Sequence, residues 1–171
     1  MKRNTSVPVI DNVTELAAYI RNRYQEQMQR EISPLKLQKP LYFLFAYWGG
    51  FIRKGKQSQS KCSNSIEVDY NEFSDYLYKA KIEAWVYGPV LPDVYRVSDI
   101  DRHYKKDVLS EGLVTEFVID LLGQLFKVSD FRLVDIAHAD KVWKKYFNPN
   151  NTTHNESMPP EEIIDEYSTK I

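Results

Sequence analysis

Apolar residues recur at helical spacing from Val13 onward. Val13, Leu16, Ala17, Ile20 and Tyr24 share one face, and Arg21, Arg23, Gln25 and Glu26 lie between them. Asp11 or Asn12 caps this first helix, and Asn12 with Glu15 has the spacing of a capping box. Ser33-Pro34 opens a second helix with a capping hydroxyl and then a proline whose missing N–H costs nothing there. It is expected to run to about Trp48, to stop at Gly49-Gly50, and to kink at Pro40, which removes the bond to the Lys36 carbonyl. The Lys/Gln/Ser-rich stretch from Lys54 to Asn64 reads as a mobile loop.

Beyond it the period changes. Ile66 to Tyr70 alternates like a strand, and Phe73 to Tyr78 is expected as a short helix. Lys81 to Tyr87 alternates again, with Ile82, Ala84 and Val86 on one face and Glu83, Trp85 and Tyr87 on the other; Gly88-Pro89 is expected to end it. Pro92 opens a short helix through Tyr95. Ser110 is expected to cap a helix bearing Leu113, Val114, Phe117, Val118, Leu121, Leu122 and Leu125, and Ser129 one bearing Phe131, Leu133, Val134 and Ile136. Val142, Trp143, Tyr146 and Phe147 form a short helical piece. Pro159-Pro160-Glu161-Glu162 starts a last helix with acids in its first turn, where the helix dipole favours them. The pattern predicts a mainly α (α+β) fold. It has a flexible N-terminus over 1–10 and one compact helical domain over 11–171, with a small antiparallel sheet holding Lys81 to Tyr87.

At 171 residues the chain has the length of one domain. Its 12 Tyr, 8 Phe and 3 Trp suit a core with some aromatic surface left over for a partner, although most of these rings are expected simply to fill the core. Cys62 is the sole cysteine, so no disulfide forms within the chain, and a reducing, cytoplasmic setting is expected. No apolar stretch follows the N-terminal charges. The longest apolar run, Leu41 to Trp48, is too short to span a membrane, so neither secretion nor a membrane partner is expected.

His103, His138 and His154 lie far apart, and neither a metal-ligand spacing nor a glycine-rich phosphate loop occurs; no cofactor and no metal are expected. Ser129, Asp135 and His138 are the nearest approach to a catalytic set, but the tight turn that exposes a nucleophile is missing. A non-enzymatic protein is expected. Charge is unevenly spread: residues 21–61 carry nine basic against two acidic side chains, and 62–171 sum to -8. Lys36, Lys39, Arg53, Lys54, Lys56 and Lys61 form a basic run free of acids, the one feature that speaks for nucleic acid.

Three blocks carry a family likeness. Leu35 to Phe43, with Leu37-Gln38-Lys39 at its centre, resembles the first helix motif of the Panacea domain, the phage-associated, SocA-like antitoxins. Ile82 to Tyr95 is similar to that family's second block, through Glu83-Ala84-Trp85, Gly88-Pro89 and Tyr95; His138 and Trp143 resemble its tail. The likeness spans about residues 13 to 167. It departs from the family at Pro40, before His138, and over a longer link at about 54–79. The resemblance implies an antitoxin that neutralises a cognate protein toxin by direct binding, without cofactor or turnover, with the motif residues serving largely as scaffold. A proteolysis adaptor that hands a bound protein to a protease is the alternative, and a nucleic-acid-binding regulator ranks third.

Two expectations about sites follow. Trp85 is expected to be buried because the Trp/Tyr face carries more apolar area. Glu83 then shares that face and pairs with Lys36 or Lys39, so that Glu83→Ala costs roughly 3–5 kcal/mol. The longer link brings Tyr70, Phe73, Tyr76 and Tyr78, which are candidate toxin contacts together with the edge after Gly88-Pro89. The competing view is that Phe73 and Leu77 dock this segment on the core.

Overall fold

In the computed structural model, residues 7–61, 68–110, 112–150 and 155–171 are described. The Lys61 side chain, Cys62, the start of the expected strand at Ile66 and His154 lie outside them. Helix α1 (Val13–Met28) begins where expected: Asn12 Oδ1 accepts from the Thr14 and Glu15 amides at 2.9 and 3.3 Å. Helix α2 (Pro34–Lys61) opens at Ser33, whose Oγ accepts from the Lys36 amide at 3.0 Å and donates to Asp130 at 2.7 Å.

The expected stop at Gly49-Gly50 and the loop from Lys54 are both overturned, since α2 continues through Pro40 and all three glycines to Lys61. The reason is tertiary. Helix α7 (Pro160–Lys170) crosses α2 so closely that a Cβ on Gly49 would sit 2.5 Å from Ile164, and one on Gly50 2.7 Å from the Tyr167 backbone. A Cβ on Gly55 would strike the Tyr70 ring at 2.3 Å. These glycines make room for neighbours; they do not end a helix. The middle of α2 is apolar on every side, as a central helix must be, and Leu41, Tyr42, Phe43, Leu44, Phe45 and Trp48 are all fully buried.

Asp69 and Tyr70 do not extend a strand: Asp69 caps a 3-10 turn over Tyr70–Glu72. Residues 73 to 80 are irregular where a helix was expected. Their backbone groups find partners elsewhere, which removes the need for helical bonds. Trp48 Nε1 donates to the Ser74 carbonyl at 3.0 Å, and the Val9 and Ile10 amides donate to Tyr76 and Leu77 at 3.0 and 2.7 Å. Residues 9 and 10 are therefore fixed, with Ile10 buried, and the flexible N-terminus expected over 1–10 does not extend to them.

The single strand expected over Lys81 to Tyr87 is instead a hairpin. Strands β1 (Glu83–Trp85) and β2 (Gly88–Val90) pair antiparallel, with Ala84 opposite Pro89, about a turn at Val86-Tyr87. Gly88 supplies a φ of 101° just after the turn, a conformation that other residues rarely adopt. On the outer side of β1, Ala84 donates to Glu156 and Met158 donates to Ile82.

Helix α3 (Pro92–Tyr95) follows as expected, then a 3-10 turn at Ile100–His103. Helix α4 (Leu113–Leu125) starts from Gly112 and not from a Ser110 cap; the Ser110 carbonyl accepts from the Thr115 hydroxyl instead. Ser129 caps α5 (Asp130–His138) by accepting from the Arg132 amide, and α6 (Lys141–Tyr146) leads toward α7. The fold is mainly α with one small antiparallel sheet, and among the described residues no helix is long and apolar enough to cross a membrane.

Candidate functional site

A two-stranded hairpin is marginal by itself. Here side chains from three other parts of the chain hold its backbone. On the open edge of β2, Lys39 Nζ donates to the Pro89 carbonyl at 2.9 Å, and Gln38 Oε1 accepts from the Leu91 amide at 2.8 Å. Proline suits this edge because it has no amide to leave unpaired. At the turn, Trp143 Nε1 donates to the Trp85 carbonyl at 2.9 Å. His138 Nε2 lies 2.9 Å from the Val86 carbonyl, which only accepts, so this nitrogen carries the proton.

The Leu37-Gln38-Lys39, Glu83-Ala84-Trp85, Gly88-Pro89 and His138/Trp143 signals thus meet at one place. Leu37 is buried in the core beside the two polar residues that cap the edge. His138 stacks on Trp143 at 4.0 Å between ring centroids, and Trp143 on Phe147 at 4.6 Å. Trp85 meets Tyr95 edge-on at 5.1 Å. Held this way, the tip projects outward: Val86 is 59% exposed and Tyr87 58%, and Tyr95 of α3, beside Trp85, is 55% exposed.

Val86 and Tyr87 escaped the sequence reading because alternation placed them inside a strand. Their signal was nonetheless present: a Val-Tyr pair directly before a glycine is unusual turn chemistry, where Asn and Gly dominate. Exposed apolar residues there add nothing to the hairpin itself.

Several expectations are corrected here. Trp85 is half-buried; Ile82 and Ala84 face the core in its place. Trp85 keeps its indole N–H on Glu83 Oε2 at 2.7 Å instead. Glu83 is buried but pairs with Lys81 at 3.4 Å, not with Lys36 or Lys39. Lys36 turns instead to the Val128 carbonyl and lies 3.8 Å from Asp130. The cost expected of Glu83→Ala falls accordingly, to that of a charged hydrogen bond, about 1.5–3 kcal/mol.

Tyr78 is no surface contact: it is fully buried, and its hydroxyl donates to the Leu41 carbonyl at 2.7 Å. Tyr70, Phe73 and Tyr76 are half-buried and lie against Phe51, Trp48 and Phe45. Tyr76 also donates to Glu161 at 2.5 Å, and burial, then this bond, push its phenol up to about 12. From residue 68 onward the segment is stitched to the core, with Phe73 packed against it and Leu77 buried in it, the docking that the competing view describes.

The basic run is not one open face. Lys36 and Lys39 are buried, Arg53 binds Asp75, Glu161 and Asp165, Lys56 binds Asp75, and Lys54 reaches the Ile171 carbonyl. Ser129 and His138 are occupied by helix capping and the hairpin, so the local Ser/Asp/His set does not assemble. Among the described residues no cluster of His, Cys, Asp and Glu is disposed to hold a metal ion.

Fold and site together define a helical protein that presents a fixed β-hairpin. No protein-family model, no curated protein and no solved structure matches the chain. The likeness to the Panacea domain therefore rests on the three residue blocks themselves.

Proposed function

We propose that this chain is an antitoxin that acts in the cytoplasm and neutralises a protein toxin by direct binding through the hairpin tip. One observation carries the reading: Gln38, Lys39, His138 and Trp143 all bond to the hairpin backbone, yet Val86 and Tyr87 at the tip they fix stay exposed, with Tyr95 of α3 exposed beside the hairpin. A contact element that is already rigid loses little entropy on binding, and tyrosine offers much area at modest cost. The family resemblance supplies the kind of partner.

The test is co-expression with the protein encoded next to it, scored by growth and by co-purification. The wild-type chain should rescue growth. The double variant Val86→Ser, Tyr87→Ala should fold normally by circular dichroism and lose both rescue and co-purification. A folded double variant that still rescues fully would move the contact away from the hairpin. Rescue that disappears in a protease-deficient host would favour the adaptor role over direct neutralisation.

A further inference from the structure

Lys39 lies wholly buried on α2 beneath the hairpin. Its Nζ bonds to the Pro89 carbonyl, and a Cβ on Gly88 would meet both Cε and Nζ at 3.2 Å, so the amine is packed directly under the strand that leaves the turn. An ammonium has three protons to satisfy and a charge to neutralise. A buried charge ordinarily has a counter-ion, and among the described residues no carboxylate pairs with this one.

The groups around it are already committed. Strand β2 (Gly88, Pro89 and Val90) holds nothing titratable. On β1, Glu83 is taken by Trp85 and Lys81. On α5, His138 is taken by the Val86 carbonyl, and just beyond that helix Asp140 binds Tyr42, Tyr167 and Lys170. On α2 itself, Lys36 is turned to Val128 and Asp130, and Tyr42 to Asp140.

We propose that Lys39 is a proton-sensitive latch: its neutral amine seats β2 on α2, and its ammonium form, unpaired in an apolar seat, loosens the hairpin and frees the tip. Burial pushes the amine down to about 7, so both forms are populated near neutrality. The latch is argued from the hairpin's own packing; only its consequence, partner release as pH falls, rests on the antitoxin reading.

The experiment uses the full chain without any partner, so that failure of the latch and failure of the partner proposal are distinguishable. Amide NMR shifts of Val86, Tyr87 and Gly88 are followed from pH 5.5 to 9, and the Lys39 ε-carbon shift is followed alongside them. In the wild-type chain both should titrate together with a midpoint near 7. Imidazoles as a class also change charge in this range, so His138→Gln is the control: the tip titration should survive in it and vanish in Lys39→Met. A tip titration that vanishes in His138→Gln and persists in Lys39→Met overturns the latch. So does a Lys39 ε-carbon midpoint above about 9, the range of ordinary lysines. That second reading needs no variant, so it decides the matter even if Lys39→Met fails to fold.

Discussion

A carboxylate taken out of water needs partners of its own, and Asp140 has three. Tyr42 and Tyr167 donate to it at 2.5 and 2.8 Å and Lys170 Nζ at 2.5 Å, with Asp140 itself 1% exposed. Nothing local announces this, since its partners lie 98, 27 and 30 residues away. Asp140→Ala strands two buried hydroxyls and should cost about 3–5 kcal/mol in urea unfolding at neutral pH. Tyr42→Phe removes one bond to the charge and should cost about 1.5–3 kcal/mol. Equal losses in the two variants would mean that Tyr42 alone matters. Lys39 makes the opposite case, a buried cation without a counter-ion. Its amine is held at about 7, against 10.5 for an exposed lysine, so between those values the unfolded chain binds the extra proton. Stability therefore rises with pH through that window, by at most about 1.4 kcal/mol per unit, and levels off below about 7. Lys39→Met should flatten the rise, which urea titrations at pH 6.5, 8 and 9.5 measure directly.

Except at Ser110, where α4 starts from Gly112 instead, helix caps were legible because a cap is a local event. Asn12, Ser33, Ser129 and Pro159-Pro160 are read from neighbours within three residues, and each marks a real start. What failed depends on distance. Gly49-Gly50 reads as a stop until α7 is laid across it, and the edge of β2 reads as open until Gln38 and Lys39 reach it from α2. The motif residues of the candidate site could thus be picked out from the sequence, but their role in holding a hairpin backbone could not. The same contrast yields a paired test on two helical glycines. Gly50→Ala drives a methyl to 2.7 Å from the Tyr167 backbone, which cannot rotate aside, and should destabilise by about 1–3 kcal/mol. Gly123→Ala in α4 meets nothing within 4 Å and should stabilise by about 0.5–1 kcal/mol. Thermal melts of the two variants moving in opposite directions are the expected result; a harmless Gly50→Ala would mean that α7 does not pack as closely as described.

Across the described residues, the segment at Val9-Ile10 and the last helix are built into one core. The segment after α2 takes backbone bonds from Val9 and Ile10, and α7 buries Ile163, Ile164 and Tyr167 against α2 more than a hundred residues away. The charge asymmetry between residues 21–61 and 62–171 is partly consumed in the same way: the basic Arg53 is spent on Asp75, Glu161 and Asp165, tying the middle of the chain to its last helix. Burying Ile163, Ile164 and Tyr167 contributes on the order of 5–9 kcal/mol at about 1.5–3 each. That is comparable to the entire 5–15 kcal/mol that stabilises a typical domain. The last helix should therefore be a condition of folding and not an appendage. A chain lacking residues 159–171 is expected to lose its cooperative thermal transition by circular dichroism, and its amide NMR spectrum should collapse toward unfolded dispersion. Adding the 159–171 segment back as a separate peptide should restore part of the transition in a concentration-dependent manner, because Ile164 and Tyr167 of α7 pack directly on Gly49 and Gly50 of α2. A truncated chain that melts cooperatively at the full-length midpoint would show that α1 through α6 form a complete core without α7.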